Sequence, residues 1–184
     1  YTETTDQIAA RWISEWENGI DGSGIKPGFI KSGVDKFPLA AVQAKMVEAA
    51  ALTHLATGLT IGIHTGDGQA AMEELRIIQS KGISAEAWIW IHAQNEKNRE
   101  LHIRAAKAGG WVSFDGVHAD SISGCHDFLK DMKNENLLDH VLLSHDAGWY
   151  HVGEANGGNY NDYNTIADKL IPSLNENGFT EKDI

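Results

Sequence analysis

The feature that most limits what this chain can fold into is an alternation, five times over, of a short apolar run with a helix-patterned segment. Several of the apolar runs end on a polar side chain of one chemical kind. Lys31 stands in GFIKSG, His64 in LTIGIHTGDG, His92 in AWIWIHAQN and Asp146 in HVLLSHDAGW, and a further run, WVSFDGVH, ends on Asp115. Successive members lie roughly 30 residues apart, the length of one strand–helix–strand crossover. The spacing therefore predicts that each tips a successive parallel strand. In parallel β/α folds the chemistry gathers at the carboxyl ends of the strands, so these side chains read as one site.

The periodicity along the chain supports that frame. Ile8, Ala9, Trp12, Ile13 and Trp16 recur at helical spacing behind candidate caps Thr4 and Thr5, which predicts a helix over 5–18. A strand is expected near 27–33, then a helix over 38–57 closed by Gly58. Strands over 59–64, 86–92, 110–115 and 140–145 alternate with helices over 68–81, 95–107, 121–134 and 164–176, and Gly82, Gly109 and Gly110 fall at helix stops. The strand runs are apolar on both faces, as in a parallel sheet covered by helices.

This is an α/β pattern, either a doubly wound sheet or a barrel. The expectation is a single domain over 1–184 of the parallel (β/α) TIM-barrel type, here an incomplete barrel of about five β/α units. The chain opens on Tyr1 and stops after GFTEKDI, so both ends read as cut and the first barrel strands as missing. Open strand edges favour association, and self-association through them is expected.

Composition removes several function classes. The net charge is −11 with no basic run, which argues against a nucleic-acid partner. No apolar stretch approaches the ~18 residues of a membrane span. Cys125 is the only cysteine, so an internal disulfide and a zinc–thiolate cluster are both excluded, and any metal would take nitrogen and oxygen ligands. With Tyr1 first, a signal peptide cannot be judged and the compartment stays open.

A single strand-end histidine is more often structural than functional; the set together is what carries weight. A lysine within an apolar run is expected to be desolvated, which lowers the amine's pKa. Such an amine can form a Schiff base or add carbon dioxide to give a carbamate, an anionic two-oxygen bridge. Asp115 either orients a histidine or caps the next turn. Alternation points His145 away from the site, and His54, His102, His126 and His140 read as packing or surface residues. His118 and His151 lie in loops as secondary candidates for substrate contact. The glycine- and asparagine-rich stretch 147–163 carries Trp149, Tyr150, Tyr160 and Tyr163 and is expected to roof the pocket.

In combination, GIKPGFIKSGVD, TGLTIGIHTGDG, IHAQN, GWVSFDG and LLSHDAGW resemble the later strands of the phosphotriesterase-like proteins of the amidohydrolase superfamily. The resemblance covers nearly the whole chain. It implies a (β/α)8 barrel with two divalent metals, usually zinc, in which a metal-bound hydroxide attacks an ester, lactone or phosphotriester centre of a small molecule. It also implies that Lys31 is the carboxylated lysine bridging both metals, that His64 and His92 hold the more exposed metal, and that Asp146 holds the more buried one and accepts the nucleophile's proton. The chain departs from the pattern in three places. It contains no His-x-His, so a chain standing alone is expected to hold one ion or none. Asn95 and Gly116 stand where phosphotriester-specialised members carry an acid and a histidine, and Gly116 also stands where lactonase-type members carry an arginine. Two other readings stay open: a Schiff-base lyase using Lys31, and a catalytically incomplete barrel fragment that acts only through association.

Overall fold

A computed structural model describes residues 2–160 and 162–184. Helix α1 (Thr5–Asn18) opens on a capping box: the Thr4 hydroxyl accepts from the Gln7 N–H, and the Gln7 side chain accepts from the Thr4 N–H. Strand β1 (Ile30–Gly33) leads into α2 (Ala41–Thr57), which starts a few residues past Pro38 and closes on Gly58 at φ 73°. Then follow β2 (Ile61–His64), α3 (Gly68–Ser80), β3 (Trp88–Ile91), α4 (Arg99–Lys107), β4 (Trp111–Phe114), α5 (Ile122–Asn134) and β5 (Val141–Leu143). The final helical segment begins as a π turn (Ile166–Leu170) and continues as α6 (Ile171–Glu176). Among the described residues no helix is long and apolar enough to cross a membrane.

The five strands are all parallel and lie in the order β1-β2-β3-β4-β5. A doubly wound sheet needs a point where the strand order reverses; here there is none. Strictly sequential order with crossovers of one hand stacks every helix on one face, which is the arrangement of a barrel wall. Of the two architectures left open by the periodicity, the doubly wound sheet is set aside, and the incomplete barrel is the one found.

Register sorts the strand residues accordingly. Ile61, Ile63, Trp88, Trp90, Val112 and Phe114 face the helices and are fully or almost fully buried. They pack on Val47, Ala50 and Ala51 of α2, Ala70, Ala71 and Ile78 of α3, and Ala105 of α4. The alanines let the helices sit close over two large indoles, as dense packing requires. A smaller cluster of Val117, Cys125, Leu129, Leu170, Leu174 and Phe179 closes the β5 end. Burial pushes the Cys125 thiol's pKa up, in keeping with its role as a small apolar group. The opposite face carries Lys31 and His64, both exposed.

Candidate functional site at the carboxyl edge of the sheet

Parallel strands place all five carboxyl ends on one edge. His64 is the last residue of β2, His92 follows β3 directly, and Asp115 follows β4. Asp146 lies three residues beyond the end of β5, and Lys31 sits two residues before the end of β1 rather than at its tip. Lys31 and His64 share the uncovered face, since Lys31 pairs with Gly62 and His64 with Gly33.

Strict alternation would send His92 to the helix-packed face, with Trp88 and Trp90. Its backbone instead turns left-handed, φ 66° and ψ 32°, and its ring meets His64 edge to face with centroids 4.2 Å apart. Asp146 is also left-handed, at φ 43°. His and Asp are among the residues that tolerate this region, and single strained residues of this kind cluster at functional sites.

The loops after β2 and β3 are interlocked, which keeps the two imidazoles together. The Trp90 indole N–H donates to the Thr65 carbonyl (2.8 Å), and the Thr65 N–H donates to the Ile91 carbonyl (3.1 Å). The Gly68 N–H donates to Glu96 Oε2 at 2.7 Å. Gly66 lies so near Asn95 that a Cβ there would approach Asn95 Cβ to 3.1 Å, so the close approach uses glycine's missing side chain.

Asp115, 4% exposed, orients His92 as one of its two expected roles required. Its Oδ1 accepts from His92 Nδ1 at 2.6 Å and its Oδ2 from the His92 N–H at 2.9 Å. A carboxylate only accepts, so the imidazole proton sits on Nδ1 and the Nε2 lone pair is left free. Asp146 Oδ2 lies 4.0 Å from the same Nδ1. Partial burial, then the neighbouring His92 ring and the Lys31 ammonium, hold the His64 pKa below its ordinary value, with Asp115 and Asp146 pulling weakly the other way.

Two expectations about the site residues need correction, at Lys31 and Tyr150. The Lys31 amine is not buried: the residue is exposed, with Nζ donating only to the Ser32 carbonyl at 3.4 Å, because no element among the described residues covers that face. Trp149 does border a groove of about 470 Å³ beside Asp146, its indole N–H donating to the Asp146 carbonyl at 2.9 Å, but it remains 60% exposed. Tyr150 does not line that groove; it lies against Gly157, and Tyr163 takes its place. Asn161 of the aromatic stretch lies outside the described residues.

Of the other histidines, His145 is expected to point away from the site, yet it borders the groove beside Asp146. His145 Nε2 accepts from the Ile166 N–H at 3.0 Å, and His102 is buried among Trp90, Phe114 and Phe128. His54 bonds the Leu59 carbonyl and His140 packs on Trp111. His151 pairs with Glu154 at 3.7 Å. Sequence reasoning missed Gln94, whose amide bonds Asp115 twice; its only signal was its place two residues after His92.

The donor set suits a divalent cation in kind, since imidazole nitrogen and carboxylate oxygen are the ligands such ions take. Among the described residues no three His, Cys, Asp or Glu side chains are grouped to hold one.

Comparison with known proteins agrees with this fold. Residues 2–184 match the phosphotriesterase family, and the chain belongs to it. It is 28% identical over its whole length to the phosphotriesterase homology protein of Escherichia coli, covering 63% of that relative. The crystal structure of that protein, which holds phosphate in its active site, superposes with a TM-score of 0.87 over 99% of this chain and 63% of that one. A lactonase from Listeria monocytogenes is 27% identical with a TM-score of 0.85, over 97% of this chain and 56% of that one. An N-acetyltaurine hydrolase of Dictyostelium discoideum is 28% identical over 98% of this chain and 52% of its own length. The chain thus spans between about half and 63% of these relatives.

Proposed function

We propose that this chain supplies the carboxyl-edge part of a metal-dependent hydrolase site acting on a small-molecule lactone or carboxylic ester. The observation that carries the reading is the paired imidazoles of His64 and His92, 4.2 Å apart, with His92 held by Asp115 so that Nε2 faces free. Its setting in a family whose relatives include a lactonase and an amide hydrolase favours attack at an acyl centre. The phosphate in the Escherichia coli relative's site favours an oxyanion-binding pocket.

His64, His92 and Lys31 would hold one divalent ion, zinc in the first instance, and Lys31 and Asp146 would contribute to a second. Such ions polarise a substrate oxygen and acidify water. For Lys31 to serve, its ammonium gives up one proton to solvent, and the neutral Nζ then bonds the carbon of carbon dioxide and loses a second proton, leaving a carbamate. Asp146, exposed and held at its carbonyl by Trp149, is placed to accept a proton on its carboxylate. The outer strands β1 and β5 each have one free edge, and a second copy would associate there.

The test is zinc binding by the 184-residue chain, followed by hydrolysis of a lactone and aryl-ester panel. Zinc should bind, and binding should weaken in His64→Ala and in Lys31→Ala. Any lactone hydrolysis should vanish with chelator. Binding indifferent to both substitutions would remove the reading.

A further inference from the structure

The Asp115 carboxylate meets four donors, and only two come from the histidine it orients. Besides the two contacts from His92, Oδ2 accepts from the Ser113 hydroxyl at 3.3 Å, two residues back on β4. The fourth is Gln94 Nε2, which donates to Oδ1 at 2.7 Å, while Gln94 Oε1 accepts from the Asp115 N–H at 3.1 Å. One amide thus grips both the carboxylate and the backbone of Asp115, a two-point contact that fixes the carboxylate's rotation. Gln94 itself starts from the short 3₁₀ turn Ala93–Asn95, which directly follows the left-handed His92.

The other half of the device is Gly116. A Cβ there would lie 3.0 Å from Gln94 Nε2 and 3.4 Å from both Cδ and Cγ. The amide would have to give way for a Cβ to enter, and a shift of even a few tenths of an ångström bears on its 2.7 Å bond to Asp115. With glycine at 116, the Gln94 side chain occupies the space beside it.

Resting on the hydrolase reading above, we propose that Gln94 is a positioning residue that locks Asp115 onto His92, and that Gly116 is glycine to admit it. Gln94 touches neither His64 nor His92; it acts through Asp115, keeping the imidazole proton on Nδ1 and Nε2 aimed at the site. Partners of this kind to a ligating histidine change metal affinity by ~10–100-fold when lost.

Gln94→Leu, Gly116→Ala and the double variant test this in the full chain. The first readout is the His92 tautomer in the metal-free protein, from long-range proton–nitrogen correlations of the imidazole. Wild type should show one Nδ1–H form, and each variant a mixture. The second is zinc affinity, expected to fall about 10-fold in each single variant. Because both act on one contact, the double variant should lose no more than the worse single. An unchanged tautomer in a folded Gln94→Leu, or a double-variant loss equal to the product of the singles, would overturn the proposal. Should Gln94→Leu not fold, the smaller Gly116→Ala decides alone on the same readouts. A wild-type chain that binds no zinc would sink the hydrolase reading, while the tautomer would still decide the role of Gln94.

Discussion

His92 and Asp115 end the inner strands β3 and β4; Lys31 and Asp146 belong to the outer strands β1 and β5. The first two are largely buried and share a web of short hydrogen bonds through side chain and backbone alike. The second two are exposed, and their side chains have only a 3.4 Å bond from Lys31 to a neighbouring carbonyl and the 4.0 Å approach of Asp146 to His92. The difference is one of neighbours. A strand flanked on both sides can draw on loops from two strands to fix its terminal residue, as at His92 and Asp115, whereas an outer strand has one. Flanking does not suffice alone, since His64 at the tip of inner β2 is exposed and meets the His92 ring. The inner half of the site is preorganised by the fold, and the outer half depends on whatever lies beyond the sheet's two edges.

The strongest attack on that comparison is Trp90→Ala. Trp90 is fully buried on the helix-packed face, and its N–H holds the loop that follows His64. Removing the indole should cost about 3–5 kcal/mol in urea unfolding. In whatever remains folded it should also separate the His64 and His92 ring signals. A loss under about 1 kcal/mol would mean the inner strands are not what anchors the imidazoles.

A second test on β3 uses pH. Glu74 of α3 is fully buried, with Oε2 accepting from the Trp88 indole at 3.0 Å and Oε1 without a partner among the described residues. Burial pushes its carboxyl up to about 8, with the Trp88 hydrogen bond pulling slightly back. The folded state thus keeps a proton that an unfolded chain releases at about 4.3. This group's contribution to stability is full below that value and is lost as pH rises through about 8. Glu74→Gln, uncharged at any pH and still able to accept from Trp88, should flatten the decline between pH 5 and 9 in unfolding titrations. An unchanged slope would put the pH dependence elsewhere.

The alternation of elements was legible because each depends on local pattern: the Thr4–Gln7 box and the Gly58 stop are written within a few residues of themselves. The strand order was not, since a sequential and a reversed sheet can share the same periodicity. Nor was the turn at His92, where the left-handed residue reverses what alternation implies, or the grip of Gln94 on a carboxylate one strand away. The expected burial of Lys31 failed for a related reason. An apolar run states that a strand is covered somewhere, and register alone decides that Ile30 and Ser32 face the helices while Lys31 does not.

The finest test asks whether the outer half of the site addresses the inner half at all. The Lys31 ammonium is one of three influences lowering the His64 pKa, after burial and the His92 ring. Exchanging it for a neutral side chain of similar length removes a repulsion against protonated imidazole and touches little packing, because the residue is exposed. Lys31→Met should therefore raise the His64 titration midpoint followed by proton NMR, and leave stability within about 0.5 kcal/mol. Salt should shrink the difference between wild type and variant, since charges exposed to solvent are screened over about 10 Å at 0.1 M ionic strength. A midpoint that stays put would place the amine too far from His64 to share a cation with it. The comparison would then become a division, with β1 contributing to the sheet and nothing to the site.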